Sequence, residues 1–200
     1  MIGRYITIER EYGSGGTKIA KLLSESTGVP CYGREILEAV SEKYNYSIEE
    51  IEKYEETMTS SFLYSMYILG KANTGDAQML AKDGHIFVAE QEAIQQFAAM
   101  GPGIFVGHCA CDALKKHKGV IRVFVRNTNI DDKSKRITQD YGISPTNAES
   151  TRKQYDQKRA HYYHANTGRR WDDLTKYDIV LDSGVLGIDG CVSVLKGLLI

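Results

Sequence analysis

The chain has 200 residues, with 25 Lys and Arg against 26 Asp and Glu, and a formal net charge of −1. That length suits one domain, and the balanced charge excludes a general footprint for nucleic acid or an acidic membrane surface. No run of about 18 apolar residues is present to span a bilayer as a helix, and the cysteines at 31, 109, 111 and 191 match neither a zinc pattern nor a C-x-x-C pair. A cytoplasmic protein without a structural metal is expected, because a charged loop directly follows the first strand and leaves no signal-peptide pattern.

Tyr5 to Ile8 reads as a short buried strand. The residues after it, Glu9-Arg10-Glu11-Tyr12-Gly13-Ser14-Gly15-Gly16-Thr17-Lys18, lead into a helix over 17–26 that Gly28 closes. A strand, a glycine-rich turn and a helix resemble the phosphate-binding pattern G-x-x-x-x-G-K-[ST] with two positions changed. Arg10 stands at the first Gly and Gly16 at the Lys. Glycines let backbone N–H groups approach an anion, and the helix N-terminus faces the same anion. The segment Arg10 to Lys18 is therefore the candidate donor-binding loop, with the Thr17 hydroxyl placed to join a Mg²⁺ shell through the nucleotide. Lys18 lies two helical steps past Gly16, turned away by about 200°. Arg10, at the strand end, is the candidate to supply the missing charge.

A brief strand follows at 29–32, then a helix over 34–44. Ser47-Ile48-Glu49-Glu50 is a capping box that starts another helix. Residues 58–70 are rich in aromatics and methionine. They are expected as core of a helical insertion, with a homodimer contact as the alternative. A long helical pattern over 76–100 stops at Gly101-Pro102-Gly103. Buried strands are expected at 104–106 and 120–125, helices at 131–141 and 145–164, a fifth strand at 177–181 and a closing helix at 188–199. Strands alternating with helices imply an α/β fold with a mainly parallel sheet covered on both faces, and ligands beyond the carboxyl ends of its strands. Residues 33–100 hold no strand and form the insertion.

Arg152, Asp156 and Arg159 fall at i, i+4 and i+7, on one helix face. Two arginines there can clamp phosphates, and the carboxylate between them can orient an arginine or a substrate hydroxyl. His161 and His164 lack a third ligand and are expected in packing. Trp171 is expected as an anchor or as a base-stacking ring.

The ITIEREYGSGG opening, CYGREIL, FVGHCACDAL, VIRVFVRN, KRAHYY, W-x-x-L-x-x-YD and YDIVLDSG occur in this order along nearly the whole chain. With them the chain resembles the cytidylate kinase-like family, a branch of the P-loop nucleoside monophosphate kinases. The resemblance implies a three-layer P-loop kinase fold with five parallel strands ordered 2-3-1-4-5. It also implies a monophosphate-binding insertion over 33–100 and a lid over 127–170. It implies ATP and Mg²⁺ as cofactors and a nucleotide or other small phosphate acceptor as partner. Arg136 matches a lid arginine near the triphosphate. Arg152, Asp156 and Arg159 match a set that contacts phosphate and cytidine, and Arg34 matches the arginine that holds the acceptor monophosphate. The acceptor side departs from the pattern twice. Gly33 replaces an acidic residue, and His108, counted with the acceptor-binding residues, replaces an arginine. A binding module that lost turnover with the lysine is the alternative reading.

Overall fold

The computed structural model describes residues 4–57 and 77–199, and side chains over 4–52 and 86–199. The stretch 58–70, read above as insertion core or dimer contact, lies outside the described residues. Five strands form one parallel sheet in the order β2-β3-β1-β4-β5. They are β1 (Tyr5–Arg10), β2 (Cys31–Tyr32), β3 (Gly103–Val106), β4 (Val120–Arg126) and β5 (Ile179–Asp182). The helices are α1 (Gly16–Thr27), α2 (Arg34–Tyr44), α3 (Ile48–Thr57), α4 (Ala77–Met100), α5 (Ala110–Ala113), α6 (Ile130–Tyr141), α7 (Pro145–Thr167) and α8 (Ser183–Lys196).

The central strand β1 divides the core by its period of two. Ile6 and Ile8 face one side and pack with Ile19 and Leu23 of α1 and Cys191 and Leu195 of α8. Tyr5 faces the other side, in a cluster with Ile36 of α2, Ile86 and Ile94 of α4, Phe105, Phe124, Tyr163 and Trp171. The described part of 33–100 holds no strand and consists of α2, α3 and α4 with short turns before α2 and α3.

Local signals explain most element ends. The capping box forms, with the Ser47 amide donating to Glu50 at 2.9 Å and the Glu50 amide to Ser47 Oγ at 3.2 Å. Asn129 caps α6 by accepting from the Asp132 amide at 3.0 Å. Gly142 and Gly168, both at φ 68°, end α6 and α7.

Several boundaries shift by two or three residues, among them the starts of β2 and β5 and the end of α7, and two differences bear on the site. Strand β1 continues past Ile8 through Glu9 and Arg10, because these stay in register with Phe124 and Val125 of β4. Helix α8 starts at Ser183 rather than 188. Asp182 Oδ1 accepts from the Gly184 amide at 3.0 Å and starts a first turn. Gly187, at φ 68° and ψ 173°, then breaks the helix and restarts it, so the apolar pattern shows only the second part.

Asp182 also accepts from the Thr128 amide at 3.2 Å and pairs with Arg126 at 3.3 Å, which ties β5 to the exit of β4. Burial works to raise its pKa, but the Thr128 and Gly184 amides and the Arg126 charge outweigh burial and hold it below the ordinary value. A carboxyl with a lowered folded pKa contributes its stability above the unfolded value of about 4 and loses it as pH falls through the folded one. Asp182→Ala is expected to lose about 1–2 kcal/mol at neutral pH. Denaturant melts should show that difference shrinking below about pH 4.

Candidate active site

The loop after β1 is shaped by its own backbone. Glu11 O accepts from the Ser14 amide at 3.2 Å and from Ser14 Oγ at 2.8 Å, closing a tight turn. Ser14 is fully buried, and its carbonyl accepts from Ser183 Oγ at 2.6 Å. Gly13 and Gly15 sit at φ 77° and 79°, where side chains are strained. Space forbids them too: a Cβ at Gly15 would lie 2.5 Å from Ile188 Cδ1, and one at Gly13 2.9 Å from Ile137 Cγ1. Helix α1 opens at Gly16, so its first amides have no intrahelical acceptor and face outward with the positive end of the helix dipole. Thr17 and Lys18 are exposed on that first turn.

The two altered positions depend on each other. A Cβ at Gly16 would lie 2.6 Å from Arg10 Cβ and 2.9 Å from its Cγ. A Cβ at Gly107, the residue after β3, would collide with Arg10 Nη1. The Arg10 side chain therefore crosses the first residue of α1 and carries its guanidinium to the end of β3. Its Nε is buried, with no hydrogen-bond partner among the described residues.

Helices α6 and α7 close over the loop. Arg136 donates to Gly13 O at 2.8 Å and is held by Asp132 at 2.9 Å. Lys133, 3% exposed, pairs with Glu11 at 2.7 Å. The Tyr12 amide donates to Asp156 Oδ1 at 2.7 Å, and Arg159 donates to Arg10 O at 2.9 Å. The Tyr12 ring stacks between Tyr155, at 4.5 Å, and Tyr141, at 5.0 Å. Arg152 bonds to Glu149 at 2.8 Å and reaches Asp156 at 3.5 Å. Burial, and then Arg10, pull the Arg159 pKa down to about 10. Burial raises Asp156 against the opposing Tyr12 amide and Arg159 charge.

Of the other predicted residues, Arg34 lies apart from this group, while His108 and Trp171 border it. The Arg34 side chain is 71% exposed and pairs with Glu38 at 3.2 Å. His108 follows Gly107 at the end of β3, and both His108 and Cys109 hold φ 53°. His108 Nδ1 lies 3.3 Å from Glu90, a fully buried carboxylate that also accepts from the Tyr162 hydroxyl. His161 and His164 belong to no group of three metal-ligating side chains among the described residues. Trp171 is 5% exposed and anchors the core against Phe124. A cavity of about 500 Å³ opens beside it, lined also by Arg152, Asp156, His164 and Arg170.

Sequence reasoning missed Glu9, Glu11, Lys133 and the tyrosine pair. Glu9 had a signal: it lies two residues after Thr7 on the buried face of Tyr5. Lys133 had none, since a lysine in a polar helix reads as solvated.

The close approach of Arg10 to Gly16 predicts a strong coupling. Gly16→Lys alone is expected to destabilise the chain by about 2 kcal/mol or more. In an Arg10→Gly background that cost should shrink by at least about 1 kcal/mol, read by denaturant melts of the four-member cycle. Additive effects would mean that the two side chains do not share this space.

The sequence of residues 5–185 matches the cytidylate kinase-like family. No curated protein matches the chain. Among solved structures, it is similar to an uncharacterized protein from Eubacterium ventriosum, at 24% identity and TM-score 0.69, over 96% of each chain. It is also similar to shikimate kinase from Bacteroides thetaiotaomicron, at 13% identity and TM-score 0.56 over 97% of each chain. TT1252 from Thermus thermophilus is similar at 13% identity and TM-score 0.55, over 98% of this chain and 96% of that one. These likenesses show the fold, with the strand order 2-3-1-4-5 and the glycine loop between β1 and α1. With most of its length matched, the chain belongs to the cytidylate kinase-like family and carries a P-loop kinase fold.

Proposed function

We propose that the chain is a phosphotransferase that passes the γ-phosphoryl group of ATP to a nucleoside monophosphate of CMP type or to another small phosphate acceptor. The observation that carries this reading is the crowding of Arg10 and Arg159 at a loop whose first helical amides are open. Burial first, and then the Arg10 charge, lower the Arg159 pKa, and an entering anion offsets both. Phosphoryl transfer needs this kind of charge neutralisation and positioning and little covalent chemistry from the protein.

The residues present fit the nucleotide. Gly13, Ser14, Gly15 and Gly16 form the phosphate nest, with no side chain tolerated at Gly13 or Gly15. Thr17 would meet the Mg²⁺ carried by the nucleotide. The metal nucleotide brings the transferable group and its counter-charge. In this reading α6 and α7 are the lid: Arg136 and Arg159 release the carbonyls of Gly13 and Arg10 and turn to phosphate oxygens, while Arg152 and Asp156 meet the acceptor. Arg34 reaches an acceptor phosphate by giving up Glu38. A second reading, a nucleotide-binding module without turnover, is favoured by one observation: Arg136 and Arg159 are both spent on loop carbonyls.

A coupled ADP-release assay with ATP, Mg²⁺ and a panel of CMP, dCMP, UMP and AMP tests the proposal. Acceptor-dependent release is expected, and Arg10→Ala should lower it by roughly 100-fold or more while the chain remains folded. A nucleotide-induced thermal shift without ADP release supports the binding module. Unchanged activity in Arg10→Ala contradicts the role given to that arginine.

A further inference from the structure

Two large apolar clusters cover the two faces of the sheet, and a third, much smaller one lies apart from both. It holds Tyr12 of the glycine loop, Ile137 of α6 and Ala148 of α7, with Ile143 packed against it. The loop therefore meets α6 and α7 through a contact of its own. A contact with few buried apolar partners can open locally while the main core stays closed.

The Tyr12 ring is the centre of that contact. Tyr155 of α7 stacks on it at 4.5 Å between centroids and 12° between planes. Tyr141, the last residue of α6, stacks on it at 5.0 Å and 26°. Tyr12 is 7% exposed, whereas the outer rings of Tyr141 and Tyr155 are 47% and 37% exposed. Stacking on Tyr12, rather than burial in a core, is what holds them there. Polar contacts run beside the rings. The Tyr12 amide donates to Asp156, Arg159 donates to Arg10 O, and Arg136 donates to Gly13 O. Arg159 Cζ also lies 5.6 Å from the Tyr12 centroid. The stack and the two arginines thus close on the same few residues of the loop.

We propose that the stack of Tyr141, Tyr12 and Tyr155 is an autoinhibitory latch. It holds α6 and α7 down on the empty loop, with Arg136 and Arg159 engaged on loop carbonyls, and a polyphosphate binds once the stack opens. The proposal rests on the reading that this loop takes the phosphates of a nucleotide. A latch has a consequence that a structural stack lacks. The apparent affinity of a ligand that needs the open state is reduced by the fraction of protein in that state. Losing a ring of the latch raises this fraction and tightens binding. Losing a ring that only shapes the loop weakens binding. Losing a ring that serves a nucleotide base leaves a ligand without a base unaffected.

Tripolyphosphate with Mg²⁺ is the probe, because it has no base. The whole chain is titrated by calorimetry as wild type, Tyr155→Ala, Tyr141→Ala and Tyr155→Phe. Each alanine variant is expected to bind about five-fold more tightly than wild type. Tyr155→Phe keeps the ring and should bind as wild type does. Equal or weaker binding by the alanine variants overturns the latch and leaves the loop reading intact. Binding by Tyr155→Phe as tight as by Tyr155→Ala also overturns it. If the alanine variants do not fold, the ring resonances of Tyr12 in wild type decide, assigned by comparison with Tyr12→Phe. Saturating tripolyphosphate is expected to move them toward unstacked values, and resonances that stay in place overturn the proposal. Absence of binding in every folded protein of the set overturns the loop reading together with this one.

Discussion

The space between the end of β1 and the first residue of α1 holds one long side chain. Arg10 occupies it, and position 16 is consequently a glycine. In the ordinary phosphate loop the same space is kept open from the strand side and filled by a lysine from the helix side. The exchange keeps a cation at the loop but changes its kind. A guanidinium is planar, always charged and able to grip two oxygens at once, whereas an ammonium is a compact point charge. Arg10 also approaches from the strand, so its head lies toward Gly107 at the end of β3.

The packing of α6 and α7 follows from this loop. A tight turn leaves backbone groups that neither the sheet nor a helix can satisfy. Side chains from the two helices satisfy them: Arg136 on Gly13 O, Arg159 on Arg10 O and Asp156 on the Tyr12 amide. The Tyr12 stack adds apolar contact, and Glu11 pairs with the buried Lys133. Removing Glu11 would leave the Lys133 charge buried without its counter-ion. Arg136 and Arg159 are thus held at the loop by backbone carbonyls.

Much of this fold was legible in the sequence. Buried strands in an α/β fold read as short apolar runs, and the runs at Tyr5, Ile104 and Val120 lie where the strands do. Glycines at left-handed helix ends, Gly28 and Gly142, marked two stops, whereas the stop at Gly168 went unread and α7 runs on to Thr167. The charged end of β1 was hidden because Glu9 and Arg10 break the apolar run while their backbones stay in the ladder. Arg152, Asp156 and Arg159 were visible through helical spacing alone. Their tie to the loop was not, since Asp156 meets Tyr12 across 144 positions of chain. Arg34 shows the limit of carrying a residue over by motif: its position in α2 is as expected, yet its side chain pairs with Glu38 at the surface. Lys133 and Glu90 were hidden because sequence gives no sign that a charged residue on a helix will be buried.

The most direct measurement is a calorimetric titration of the whole chain with Mg·ATP at low and at moderate ionic strength. Saturable binding at one site per chain is expected, weakening as salt rises, as contacts of cations with phosphates do. Absence of saturable binding at millimolar nucleotide, with the protein folded, would contradict the assignment of the Arg10–Lys18 loop as a nucleotide site.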